Sequence, residues 1–197
     1  MENINFLLIG VGGQGTLLAS NVLAHVGVRA GFDVKKAEVH GMAQRGGSVS
    51  SHMRWGEKIH SPLIGRGEVD YLVAFEKLEA LRYVDMLRPG GTALVGEMRI
   101  PPLSVSSGDD VYPDDEEVRR IISEVTDDLH FVPSLSLAEE AGNVRAHNVV
   151  VLGVLSSFIG QVPPEIWLEV IAEWVPEKFI EVNQRAFQVG RDSVSNQ

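Results

Sequence analysis

The chain opens on an unbroken apolar run, Ile4 to Ile9, that stops at a glycine, as a strand buried on both faces of a parallel sheet does. The turn Gly10-Val11-Gly12-Gly13-Gln14-Gly15 follows. Leu18, Val22 and Val26 then recur at helical spacing up to Arg29, with Gly31 just beyond as a stop. Residues 33–39 alternate like a half-buried strand, His40 to Gly47 has three glycines and no period, and Ser48 to Trp55 alternates again. Asp70 to Phe75 is another apolar strand, Lys77 to Leu87 a helix closed by Arg88-Pro89-Gly90-Gly91, and Thr92 to Val95 a further strand. Residues 99–117 carry three prolines and, from Asp109 to Glu117, six acids. They read as an exposed connection into a helix at about 116–125, with Asp114 or Asp115 as its N-cap. Residues 129–132 form a short strand, Asn143 to Gly160 a long apolar helix, and Pro163-Pro164 opens an amphipathic segment to about 189. Strands alternating with helices predict an α/β, Rossmann-like fold. The expected form is a mostly parallel sheet flanked by helices in a single domain, residues 1–197, with the helical segment at about 163–190 packed on it.

Composition narrows the function. With 44% hydrophobic and 22% charged residues among 197, the chain can bury a core. Its 17 basic and 27 acidic residues give a net charge of −10, which argues against nucleic acid or an anionic membrane as partner. The chain contains no cysteine, so no disulfide, thiolate nucleophile or cysteine-held iron–sulfur cluster can be built from it alone. The N-terminus has an acid where a signal peptide needs a base, and the densest later apolar run, Val149 to Leu155, is far short of the ~20 residues that span a bilayer. A soluble, cytoplasmic protein is expected. No nucleophile elbow or zinc-binding helix pattern occurs, and His40, His52 and His60 lack ligand spacing, so no metal site is expected.

The strongest motif is the glycine turn at 10–15, between strand and helix. There Gly10 permits the tight turn, Gly12 lets backbone approach a phosphate, and Gly15 lets helix and strand pack closely. The alternative is a tight connection that binds nothing. Glu38 lies 23 residues after Gly15, the spacing of a ribose-binding acid, yet it also reads as a solvated strand-end acid. Gly10, Gly12, Gly13, Gln14, Gly15, Glu38 and His40 are therefore the candidate cofactor-binding residues. The His40–Gly47 loop follows the second strand and should face the same crevice. Gln44 and Arg45 in it are candidate catalytic residues, Arg45 as a fork for a carboxylate or phosphate, or else a solvated arginine. Asn143 and His147, at i and i+4, and Asn148 are polar on an otherwise apolar helix and fit the satisfaction of loop backbone or an interface. His25 fits a surface or packed histidine better than a ligand, and the stripe Trp167, Trp174, Phe179 and Phe187 fits a core or subunit interface.

Five stretches carry a resemblance: LLIGVGGQGTLLAS, AEVHGMAQRGGSVSSHMRWG, DYLVAFEKLEALRYVDMLRPGG, AGNVRAHNVVVLGVL and EKFIEVNQRAF. With GGQG and HGMAQRGG as its specific motifs, the chain resembles the gamma-type subunits of the 2-oxoacid:ferredoxin oxidoreductases, most closely those of the arylpyruvate (indolepyruvate) type. The resemblance implies a complex that oxidatively decarboxylates a 2-oxoacid on thiamine diphosphate and passes electrons through [4Fe–4S] clusters to ferredoxin. The acyl group leaves on coenzyme A. It implies a larger thiamine- and cluster-bearing subunit as partner, with this chain completing the substrate and coenzyme A side. Two other classes stay open. One is a free-standing nicotinamide- or flavin-binding oxidoreductase using Gly10, Gly12, Gly15 and Glu38; the other is a docking subunit with an empty glycine turn.

Overall fold

The protein is described by a computed structural model over residues 3–41 and 47–194. Six strands form one sheet: β1 (Ile4–Val11), β2 (Asp33–His40), β3 (Ser48–Gly56), β4 (Val69–Glu76), β5 (Leu87–Met98) and β6 (Leu129–Val132). The helices are α1 (Thr16–Arg29), α2 (Lys77–Arg82), α3 (Leu103–Ser106), α4 (Asp115–Ile122), α5 (Ser134–Glu140), α6 (His147–Phe158), α7 (Pro164–Trp174) and α8 (Ile180–Val194).

The strand order is β2-β3-β1-β4-β5-β6. β1 pairs in parallel with β4, β4 with β5, and β5 with β6. β3 runs against both β1 and β2, so five strands point one way and one is reversed. The sheet is thus mostly parallel, as expected, but mixed. Side-chain chemistry explains why β3 takes the interior place. Met53 and Trp55 of β3 are fully buried, whereas β2 carries Asp33, Lys35, Lys36 and Glu38 and none of its described residues is fully buried. Charge of that density suits an edge, where lysines also deter pairing with another chain.

Successive side chains of β1 point to opposite faces and both faces are covered. Phe6 and Leu8 pack in one core with α1, α6, α7 and α8, including Val22, Leu152, Trp167 and Phe187. Leu7 and Ile9 pack in the other with Val118 and Ile122 of α4. Trp55 anchors the first core, its ring 4.8 Å from Phe6 and 5.3 Å from Phe32.

Several boundaries differ from the sequence expectation. The helix expected over 77–87 ends at Arg82, passes through a 3-10 turn at Val84–Met86, and becomes strand at Leu87, which pairs with Val69. Tertiary strand pairing outweighs helical spacing there. The segment 99–117 contains the four-residue α3, and Asp114 does cap α4, accepting from Glu117 N at 2.8 Å. α5 was not expected. Its first turn is capped from a distance: Glu97 at the end of β5 accepts from Leu135 N at 2.8 Å and Ser136 N at 3.2 Å. The apolar segment 143–160 starts as a 3-10 turn, Val144–Ala146, before α6, so Asn143 lies outside the helix. The final segment breaks at Val175-Pro176 into α7 and α8.

α6 and α8 meet backbone to backbone. A Cβ on Gly153 would run into the Phe187 carbonyl oxygen, and one on Gly190 into that of Val150. A methyl forced between two buried helices costs about 1–3 kcal/mol. Gly153→Ala and Gly190→Ala should each lower stability by that amount in urea unfolding, while Gly160→Ala, whose position meets open space, should change it far less.

Candidate functional site

β1 and β4 are neighbours whose connections leave in opposite directions, β1 toward β3 and β2, β4 toward β5 and β6. Ligands in open α/β sheets bind outside the carboxyl ends of the strands at such a switch point. The glycine turn sits there. Gln14 is folded beneath it, 3% exposed, its Oε1 accepting from Val11 N at 2.6 Å. Its Nε2 donates to the Phe75 carbonyl at 3.4 Å and lies 3.5 Å from Met98 Sδ. One amide therefore joins the ends of β1, β4 and β5. Space for it exists only because residue 10 is glycine: a Cβ there would lie 2.6 Å from Gln14 Oε1 and 2.9 Å from Thr16 Oγ1.

Gly15 ends the turn at φ 75°, the left-handed region that a side chain makes costly. Asn148 fills the space beside it, Nδ2 donating to Gly15 O at 3.1 Å, and a Cβ on Gly15 would strike that amide. The N-terminus of α6 is thereby bound to the N-terminus of α1. Between them opens a cleft of about 400 Å³, lined by the backbone of Gly13 and Gly15 and by Leu18, Met98, Leu135, Arg145 and His147, among others. A second hollow of about 410 Å³ lies on the opposite side of the turn, against Val11, Gly12, Thr16, Leu17 and Val49.

The structure brings Gly12, Gly13, Gly15, His147 and Asn148 to this one edge. Gln14 is there too, as a clasp for the turn. Asn143 is close by, its Oδ1 accepting from Arg145 N at 3.0 Å, which caps the 3-10 turn. It serves loop backbone rather than sharing a helix face with His147. Glu38 is not brought to the turn. β3 lies between its strand and β1, and Glu38 pairs with Lys36 at 2.7 Å and with Ser20 Oγ at 3.5 Å. His40 ends β2, while Gln44 and Arg45 lie outside the described residues. His25 packs on Trp174, ring centroids 4.7 Å apart, as a packing histidine does.

Two groups at the cleft escape sequence reasoning. Arg145 is exposed, and among the described residues its guanidinium has no partner. It lies two residues before the start of α6, where the helix dipole disfavours a cation. An arginine against a helix N-terminus was the available signal, because such a pairing suits a shared anion. Leu135 reaches the wall through the Glu97 cap of α5, which no local pattern reveals. His147 is 7% exposed, its Nδ1 is buried without a partner, and burial holds the ring below its ordinary 6.5. Among the described residues no group of three or more His, Cys, Asp or Glu is placed to hold a metal, and no helix is long and apolar enough to cross a membrane.

The sheet order, the glycine turn at the switch point and the flanking helices define a Rossmann-like α/β domain with an open cleft at the carboxyl edge. Residues 5–193 match the family described as pyruvate ferredoxin/flavodoxin oxidoreductase, and the chain belongs to that family. It is 41% identical to the indolepyruvate oxidoreductase subunit IorB of Thermococcus kodakarensis, over 96% of this chain and 95% of that one. It is 39% identical to IorB of Archaeoglobus fulgidus, over 95% and 93%. In fold it is similar to the gamma subunit of a keto/oxoacid ferredoxin oxidoreductase from Geobacter sulfurreducens, at TM-score 0.73, 22% identity, and 98% and 99% of the two chains. A 2-oxoglutarate:ferredoxin oxidoreductase from Magnetococcus marinus, solved with 2-oxoglutarate, coenzyme A and succinyl-CoA bound, matches at TM-score 0.73 and 20% identity. All of this chain aligns, over 32% of that one.

Gln14→Ala should cost about 1–3 kcal/mol in urea unfolding, because it orphans the buried Val11 N–H. The pH dependence follows from His147 and His52, both held below 6.5 by burial. The unfolded chain takes up those protons first, so their contribution is complete above pH 6.5 and is lost as the pH falls below it. Urea midpoints should drop between pH 7.5 and pH 5.5, and His147→Gln should make that drop smaller.

Proposed function

We propose that this chain is the cluster-free subunit of a 2-oxoacid:ferredoxin oxidoreductase of the indolepyruvate type. The observation that carries this reading is the 41% identity to IorB along nearly the whole of both chains. In the proposed reaction the 2-oxoacid loses carbon dioxide, its acyl group joins the thiol of coenzyme A, and the electron pair passes to ferredoxin one electron at a time. Thiamine diphosphate and [4Fe–4S] clusters belong to the larger subunit, since this chain has no cysteine to ligate a cluster.

The work of this chain is to complete the substrate and coenzyme A side and to dock the larger subunit. The open cleft supports that role, with the N-termini of two long helices and an arginine against one edge. In this reading the backbone of Gly12, Gly13 and Gly15 receives a phosphate or a partner carboxylate. Gln44 and Arg45, which lie in sequence between the carboxyl end of β2 and the start of β3, orient the acyl or coenzyme A end.

The chain, tagged in its own cell and purified without oxygen, should bring down a larger, brown, cysteine-rich subunit with thiamine-dependent, coenzyme A-dependent ferredoxin reduction. A colourless chain recovered alone and binding NADH would overturn the reading. Arg45→Ala should leave the complex intact and lower its turnover by about tenfold or more, the scale of one lost charge-assisted contact; unchanged turnover would remove Arg45 from the site.

A further inference from the structure

On the α2 side of the sheet, a pocket of about 180 Å³ opens between α2 and the segment that follows β5. Glu76, Glu79, Arg82, Ile100 and Leu103 are among its walls. Both carboxylates are covered, Glu76 to 1% exposure and Glu79 to 2%. Glu79 is paired: it accepts from Arg82 Nη1 at 2.7 Å and from Ser48 Oγ at 2.5 Å. Glu76 accepts from Glu79 N at 2.9 Å, from Ile100 N at 3.1 Å and from the Tyr112 hydroxyl, all of them neutral. The basic side chains of the surrounding segments are committed elsewhere, Lys77 and Arg99 to Asp115 and Arg82 to Glu79. Among the described residues, then, no cation pairs with Glu76. Neutral donors satisfy its lone pairs and leave its charge, so a carboxylate this deep favours a cation beside it.

The same carboxylate tethers the segment above the pocket at two points, Ile100 and Tyr112. Arg99 adds a third hold, its guanidinium 5.7 Å from the centroid of the Tyr112 ring. The chain between these tethers stands out into solvent. Leu103 is 84% exposed and Val111 85%, more than any other large apolar side chain among the described residues. Asp109, Asp110, Asp114, Glu116 and Glu117 beside them are exposed too. Two apolar side chains held out on a tethered segment, over a pocket that lacks a cation, mark a contact surface. The excess of acid sets the sign of what meets it.

We propose that this face docks the larger subunit through one basic side chain seated in the Glu76 pocket, with Leu103 and Val111 pressed into apolar hollows beside it. The volume suits one side chain, being below the about 300–1,000 Å³ of small-molecule sites. A guanidinium fits best, because its planar fork matches carboxylate geometry. A second copy of this chain fits poorly: a two-fold contact sets a patch against itself, here acid against acid. A bare metal ion leaves the apolar rim without a purpose, and no metal-holding group of three or more His, Cys, Asp or Glu is found among the described residues. The identity of the partner rests on the oxidoreductase reading above.

The test is the rate at which the larger subunit washes from the immobilised, tagged chain after the complex is recovered without oxygen. Wild type, Leu103→Ala, Leu103→Lys, Glu76→Gln and Val28→Ala are compared. Leu103 and Val28 are exposed, so their variants leave the core in place, and a melting curve checks Glu76→Gln. Leu103→Ala and Glu76→Gln should speed release about tenfold or more, Leu103→Lys further still by repelling a basic face, and Val28→Ala not at all. Added salt should speed release from wild type more than from Glu76→Gln. If Glu76→Gln does not fold, Leu103→Lys still decides. Release of an active, brown subunit at the wild-type rate from both Leu103 variants would overturn the docking surface and leave the oxidoreductase reading standing. A chain that recovers no protein would overturn both. A chain that sediments as a dimer, and as a monomer with Leu103→Lys, would overturn the proposal in favour of a second copy.

Discussion

One buried amide holds the carboxyl edge of this protein together. Gln14 turns back under its own loop and bonds the last strand residue of β1 while reaching the end of β4. A turn rich in glycine has little to order it, because each glycine gives up the most backbone freedom on folding. The clasp supplies that order from inside and leaves the outward face of the turn as bare backbone. Asn148 repeats the device from α6, gripping the carbonyl of Gly15. The cleft is a by-product of these two amides, which set how far apart the two helix N-termini stand.

Electrostatics at that edge run against those of the whole chain. A net charge of −10 describes a protein that repels anions at long range. At the cleft, a guanidinium without a partner among the described residues and two helix N-termini present positive potential over a few ångströms. The acids concentrate elsewhere, as at the start of α4, where Asp115, Glu116 and Glu117 favour a helix N-terminus. Composition limits partners for the molecule, and only local placement describes a site.

The elements most legible in the sequence were those whose period is long or whose punctuation is strong. β1, the glycine turn and α1 fall where apolar run, glycines and helical spacing place them. The reversal of β3 was not legible, since alternation reads the same in either direction; the charges of β2 and the buried Met53 and Trp55 of β3 are what sort edge from interior. That insertion also separates Glu38 from the turn, because the spacing argument assumes adjacent strands. Gln14 looked like a ligand-facing residue because it sits inside the motif, and only the packing shows its side chain turned inward. Arg145 carries no signal of its own, because a single arginine before an apolar helix has no period, and its meaning comes from the glycine turn that lines the same cleft from the other end of the chain.

The glycine contact between α6 and α8 has a mechanical consequence. Where side chains separate two helices, rotamer changes let one slide on the other by small steps. Gly153 and Gly190 remove that layer, so the two axes are coupled as one stiff body. Arg145 precedes the first turn of that body and Asn183 sits in the first turns of its second helix. The span from the start of one helix to the start of the other is therefore a fixed gauge, set by backbone contact and not by rotamers.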